Sequence, residues 1–251
     1  MKAIVYVGHG SRSPKGNEQF ERFVKQVGEY FPNIIQEFGF LELAEPSVIN
    51  AVEAAVARGA KEITIAPALL FSAAHYKRDI PEEIEKAKQQ FPGIIFRTVE
   101  PFGPDEKMIR LIIKRITDMQ PQKEESAILL VGRGSSEPNP IRQLKEMAEE
   151  AGHVLEMPVF TAFLTAGVPA YEQELERLGT CYKRVYVMPY LLFTGALLRK
   201  IHIKKEKIQA KAPHCEIFVC ACLEFDELMK QTYIERIETA HVFSAAFHTM
   251  K

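Results

Sequence analysis

The chain has 251 residues, 47% of them apolar and 26% charged, with 14 Gly, 15 Pro and no Trp, a composition that excludes a disordered or fibrous protein. With 32 Lys and Arg against 33 Asp and Glu the net charge is −1, so no global field draws the protein to nucleic acid or an anionic membrane. The length accommodates one large domain or two of roughly 125 residues.

Short β-branched runs alternate with longer amphipathic stretches, as expected of βα units around a parallel sheet. In the first half the strands fall at 3–7, 34–41, 62–67 and 94–99, and helices follow at about 15–30, 47–58, 80–90 and 105–117. Helix starts carry suitable punctuation: Ser47 after Pro46, Asp79 ahead of Ile80-Pro81-Glu82, and Pro104-Asp105. The second half repeats the order, with strands near 127–131, 154–163, 184–189 and 216–222 and a long closing helix at 226–249. Its apolar stripe suits core packing, and His241 and His248 near its end read as surface residues. No apolar run approaches the ~20 residues of a membrane span, and MKAIVYVGHG lacks the features of a secretory signal, so the cytoplasm is the expected compartment. Cys215, Cys220 and Cys222 lie in or beside one apolar run and, like Cys181, belong to no Cys-x-x-Cys pair; they read as free thiols.

Three matched segments expose an internal duplication. AIVYVGHGSR (3–12) aligns with AILLVGRGSS (127–136), FLELAEP (40–46) with FLTAGVP (163–169), and IAPALLFSAAHYKR (65–78) with VMPYLLFTGALLRK (187–200), at offsets of 124, 123 and 122 residues. The expected fold is therefore α/β: two similar Rossmann-like three-layer domains, each a four-stranded parallel sheet flanked by helices, spanning 1–120 and 121–251. Ligands of such sheets bind beyond the carboxyl ends of the strands, which directs attention to the strand-end loops and to a cleft between the two domains.

The repeat also separates scaffold from chemistry. His9 aligns with Arg133, His75 with Leu197, Glu42 with Thr165 and Glu45 with Val168, so two imidazoles and two carboxylates occur in the first copy only. His9 lies between Gly8 and Gly10 at a strand end, and His75 follows the small-residue loop Leu70-Phe71-Ser72-Ala73-Ala74. Two neutral imidazoles with a carboxylate suit either a first-row divalent ion with open coordination positions or a pair of bases for proton removal. Gly8-His9-Gly10-Ser11-Arg12 matches neither a dinucleotide nor a P-loop fingerprint, and no GxSxG elbow is present.

GHGSR, FLELAEPSV and APALLFSAAHYKRDIPEEI, in this order and spacing, resemble the sirohydrochlorin chelatases, the class II chelatases that insert ferrous iron for sirohaem or cobalt for cobalamin. The resemblance covers nearly the whole chain and implies two chelatase-like α/β domains, the second a degenerate repeat forming the other wall of the cleft. It implies that His9 and His75 are the metal-binding and catalytic pair, that Glu42 handles metal or protons, and that Glu45 and the loop 70–74 contact the tetrapyrrole. It implies no permanently bound cofactor, Fe2+ (or Co2+) as substrate, sirohydrochlorin as the partner molecule and, with the duplication inside one chain, a monomer. Because the substrate carries eight carboxylates, cations beside the repeated motifs are expected to meet it: Arg12, Lys77, Arg78, Arg133 and Arg199, with Lys200 adjacent. Cobalt insertion, a non-catalytic tetrapyrrole or metal carrier, and a two-domain sugar or anion binder of periplasmic type, disfavoured by the lack of an export signal, are the alternatives.

Overall fold

The computed structural model describes residues 1–224 and 226–246, with the side chains of 241–246 left aside. The side chain of His241 and the whole of His248 thus lie outside what is described. Two four-stranded, all-parallel sheets are present. The first comprises β1 (Lys2–Gly8), β2 (Ile35–Phe40), β3 (Glu62–Pro67) and β4 (Ile95–Thr98), in the order β2-β1-β3-β4. The second comprises β5 (Ser126–Gly134), β6 (Val159–Ala166), β7 (Arg184–Tyr190) and β8 (Glu216–Val219), in the order β6-β5-β7-β8. The helices are α1 (Pro14–Gly28), α2 (Val48–Ala57), α3 (Ile80–Gln90), α4 (Glu106–Thr117), α5 (Pro138–Leu155), α6 (Tyr171–Cys181), α7 (Ala196–Lys211) and α8 (Glu227–Ala246), and a π-helical turn, His75–Asp79, runs straight into α3.

Strands that pair on both edges and are covered on both faces must be apolar throughout. β1 and β5 occupy the second position of their sheets and, apart from Lys2 at one end and Arg133-Gly134 at the other, are buried residue by residue. One face of the first sheet packs Val5, Ile63 and Ile65 against Val48 and Val52 of α2 and Ile80 of α3. One face of the second packs Leu129, Val131 and Val187 against Leu175 and Leu178 of α6 and Ile201 of α7. The capping signals work as expected at α2, where Ser47 and Asn50 form a reciprocal capping box, and at α4, where Asp105 accepts from the Lys107 amide. Asp79 differs from expectation: its backbone is already helical and its side chain caps nothing. The expected strand at 154–163 begins later, at Val159, because α5 carries on to Leu155 and is stopped by Glu156 in the left-handed conformation (φ 53°).

The boundary expected at 120/121 divides the duplicated sequence, but the compact units divide elsewhere. One unit is Met1–Gly103 together with the chain from Lys230 onward; the other is Pro104–Met229. The cause is where the apolar stripes of the two terminal helices find cover. α4 buries Met108, Leu111, Ile112 and Ile116 and packs on α5 and β7, and so belongs with the second sheet. Tyr233 of α8 stacks on Phe23 with ring centroids 5.6 Å apart, lies against Phe102 at 5.3 Å, and donates its hydroxyl to the Ala66 carbonyl, all within the first unit. Each half of the sequence thus gives its last helix to the other half's sheet.

The start of α8 is fastened within the second unit by Asp226, whose side chain is 5% exposed. It receives Lys114 Nζ at 2.5 Å and Arg115 Nη1 at 3.2 Å and accepts from the Leu228 amide at 3.1 Å. Burial works to raise its pKa, but the hydrogen bonds from Lys114 and Leu228 and the charges of Lys114 and Arg115 outweigh it, and the carboxyl is held below its ordinary range.

Two predictions follow from these contacts. A carboxylate with a depressed folded pKa adds stability that is complete above the unfolded value, near pH ~4, and is lost as pH falls through the folded value. Asp226→Asn is therefore expected to cost about 3 kcal/mol in urea unfolding at pH 7, with the gap from the native protein narrowing below about pH 4. The second concerns Gly10 (φ +90°) and Gly134 (φ +95°), where a Cβ would come within 1.7 Å of the Glu42 carbonyl oxygen and 1.8 Å of that of Ala166. Gly10→Ala and Gly134→Ala should each lower the unfolding free energy measured in urea by similar amounts, about 1 to 3 kcal/mol.

Candidate active site

β2, β1 and β3 are neighbours, so the loops leaving their carboxyl ends lie side by side. The β1 and β2 loops are laced together by backbone: the Leu41 amide donates to the Gly8 carbonyl at 2.9 Å and the Glu42 amide to the His9 carbonyl at 3.1 Å. Gly10 is needed here because its α-carbon passes under the Glu42 carbonyl with a positive φ. The β2 loop closes through the Phe40 amide, which donates to the Pro46 carbonyl at 2.8 Å, after a cis Glu45-Pro46 bond. The second sheet repeats this turn with a cis Val168-Pro169 bond and a bond from the Phe163 amide to the Pro169 carbonyl.

On this scaffold His9 and His75 meet, with ring centroids 4.4 Å apart and planes at 69°. Each imidazole turns its Nδ1 towards a carboxylate. His9 Nδ1 lies 3.3 Å from Glu42 Oε1 and His75 Nδ1 lies 2.6 Å from Asp79 Oδ2. The other oxygen of Asp79 takes Arg78 Nε at 2.9 Å. Burial raises the Asp79 pKa, but the hydrogen bonds from Arg78 and His75 prevail and hold the carboxyl below its usual range. An ionised Asp79 accepts the Nδ1 proton, which leaves the lone pair of His75 on Nε2. The imidazole pair can therefore ligate a first-row divalent ion or accept protons, with most of the coordination sphere left to the substrate.

The other expected residues fall around this pair or apart from it. Glu42 is half exposed beside His9, and Glu45 is exposed in the same β2 loop. Leu70, Phe71, Ser72, Ala73 and Ala74 are half-buried in the loop between β3 and the π-helical turn. The loop is tied by bonds from the Gly103 amide to the Leu70 carbonyl, at 2.8 Å, and from the Lys77 amide to the Ala73 carbonyl, at 2.9 Å. Arg12, Lys77 and Arg78 are exposed on the first unit. Arg133 and Arg199 are exposed on the second unit, at the end of β5 and in α7, while Lys200 there donates to the Leu164 carbonyl at 2.6 Å. Thr165, the counterpart of Glu42, donates its hydroxyl to the Arg133 carbonyl, so the second copy keeps the turn without the imidazoles.

One residue of the site escapes sequence reasoning. Asp79 reads as a helix start in sequence and is the partner of His75 in the structure; the signal that could have found it is the His-x-x-x-Asp spacing, which stacks the two side chains once the segment is helical. The thiols stay apart from this chemistry. Cys215, Cys220 and Cys222 are buried and free, and burial pushes Cys220 and Cys222 up to about 12.

The profile of the CbiX family matches residues 3–119 and 127–240. A sirohydrochlorin ferrochelatase of Priestia megaterium is 40% identical over 224 residues, covering 88% of this chain and 83% of that protein. A sirohydrochlorin cobaltochelatase of the same organism is 30% identical over 220 residues, covering 83% of this chain and 71% of its own length. The solved structure of SirB from Bacillus subtilis with Fe3+ superposes with a TM-score of 0.87 at 32% identity, covering 98% of this chain and 97% of that one. Matched in both halves and sharing its fold along nearly its whole length, the chain belongs to the CbiX family.

Proposed function

We propose that this protein is a sirohydrochlorin ferrochelatase, which places Fe2+ in sirohydrochlorin and releases two protons to give sirohaem. The observation that carries the reading is the imidazole pair 4.4 Å apart, each ring backed by a carboxylate, at the carboxyl ends of adjacent parallel strands. The reaction needs two things of a site: labile ligands that replace part of the water shell of the ion, and an acceptor for the pyrrole protons. Imidazole supplies both, and no change of oxidation state is involved.

In this reading His9 and His75 receive the ion and one of them takes pyrrole protons. Glu42 orients His9 and offers an anionic oxygen for metal delivery or for the released proton. Glu45 and the loop 70–74 contact the macrocycle, and Arg12, Lys77, Arg78, Arg133 and Arg199 pair with its carboxylates. The metal is substrate, and no permanently bound cofactor is invoked. Both copies of the unit lie in one chain, which supports a monomer, and the free thiols accord with a reaction in the reducing cytoplasm.

Cobalt insertion is the second reading, favoured by the likeness to a cobaltochelatase. Imidazole ligands do not by themselves prefer iron over cobalt, since affinity rises from Fe2+ to Co2+.

The test is anaerobic insertion of Fe2+ and Co2+ into sirohydrochlorin, followed by absorbance. His9→Ala and His75→Ala are each expected to lower kcat/KM for Fe2+ by about 100-fold or more while far-UV circular dichroism is unchanged. A larger kcat/KM for Co2+ than for Fe2+ would shift the assignment to cobalt. Stoichiometric binding without acceleration would make the protein a carrier.

A further inference from the structure

The π-helical turn His75–Asp79 is the one departure from regular α-helix at the start of α3, and among the described residues it occurs only where the imidazole is. The Ile80 amide closes on the His75 carbonyl five residues back, which sets Asp79 one turn on, over the His75 ring. The second copy provides an internal control. At the offset of 122 residues Leu197 stands for His75 and Ile201 for Asp79, and α7 runs there as regular α-helix from Ala196 with Ile201 fully buried in the core. Imidazole, carboxylate and π-helical turn are all present in one copy and all absent in the other. A helix start at this place in the fold needs no aspartate, since Asp79 caps nothing and α7 does without one.

We propose that Asp79 is a positioning residue for metal insertion: it holds His75 as the Nδ1–H tautomer and so presents Nε2 to the incoming ion and the pyrrole protons. Both oxygens are bonded, Oδ2 to His75 at 2.6 Å and Oδ1 to Arg78 at 2.9 Å, which favours the carboxylate facing the ring. The side chains of His75 and Asp79 are 28% and 27% exposed. The bond between them is therefore partly shielded from competing water, and the tautomer is set by the protein. A carboxylate behind a ligating imidazole fixes ring orientation and raises its basicity. The proposal rests on the ferrochelatase reading only for its consequence in turnover; the tautomer stands independently of it.

The experiment is in two arms on the full-length protein. In the first, long-range 1H–15N correlation spectra of metal-free, 15N-histidine-labelled protein report the tautomer of His75, its signals assigned by their loss in His75→Ala. The native protein is expected to show the Nδ1–H form and Asp79→Asn to lose that preference. A native Nε2–H form, or an Asp79→Asn spectrum unchanged at His75, overturns the proposal. In the second arm, Co2+ affinity by calorimetry and the rate of Fe2+ insertion are each expected to fall 10- to 100-fold in Asp79→Asn, while in the His75→Ala background the same change alters Co2+ affinity less than about twofold. An equal loss in both backgrounds also overturns it, because Asp79 would then act other than through His75. If the native protein fails to accelerate insertion, the ferrochelatase reading falls and the spectra alone decide the role of Asp79.

Discussion

Parallel pairing of β1 with both β2 and β3 is the constraint from which the site follows. Only because these three strands run the same way and are neighbours do their trailing loops emerge together, bringing residues 9, 42 and 75 within reach of one another. The pairing has a chemical requirement of its own: a strand paired on both edges and covered on both faces must be apolar throughout, so polar function is expelled to the first residues past its end. Gly8 is the last residue of β1 and His9 the first beyond it. Gly10 then lets the loop pass beneath the Glu42 carbonyl, where any side chain would collide.

Duplication shows what this scaffold tolerates. Both copies keep the strand order, the cis X-Pro bond after the second strand and the close glycine contact at residues 10 and 134. Those features satisfy backbone geometry and are indifferent to what the loops carry. The imidazoles and their carboxylates are independent of that geometry and survive in one copy. A fold that fixes the backbone by pairing and packing can hold or lose its chemistry without loss of stability, because the reactive groups lie beyond the buried strands.

The acid–base partners show how environment divides similar groups. Asp226 and Asp79 are both carboxylates held below their usual range by cationic or imidazole donors. Asp226 is nearly inaccessible and fastens the start of a helix, whereas Asp79 sits half-shielded behind a ring at a strand-end turn. The same ionic preference serves stability in one place and the orientation of a reactive nitrogen in the other. Burial distinguishes the Cys220 and Cys222 thiols, which it leaves protonated.

The sequence by itself determined the α/β class, the duplication and the confinement of His9 and His75 to one copy, because apolar periodicity, offset matches and residues peculiar to one copy are properties of order along the chain. The buried runs of β1 and β5 had to be central strands, and His9 and His75, placed at strand ends, had to lie on one side of the sheet. Tertiary structure alone decided three things. Asp79 bonds to His75 and does not cap α3, since a carboxylate beside a helix start can serve either end and the choice depends on a π-helical turn that no periodicity signals. α4 and α8 each pack with the other copy's sheet, since an amphipathic stripe states that a helix needs cover and not which surface provides it. The end of α5 at Leu155 rests on a left-handed Glu156, a conformation that glutamate does not advertise. In the first two cases competing partners were equivalent in sequence, and only their positions in space separated them.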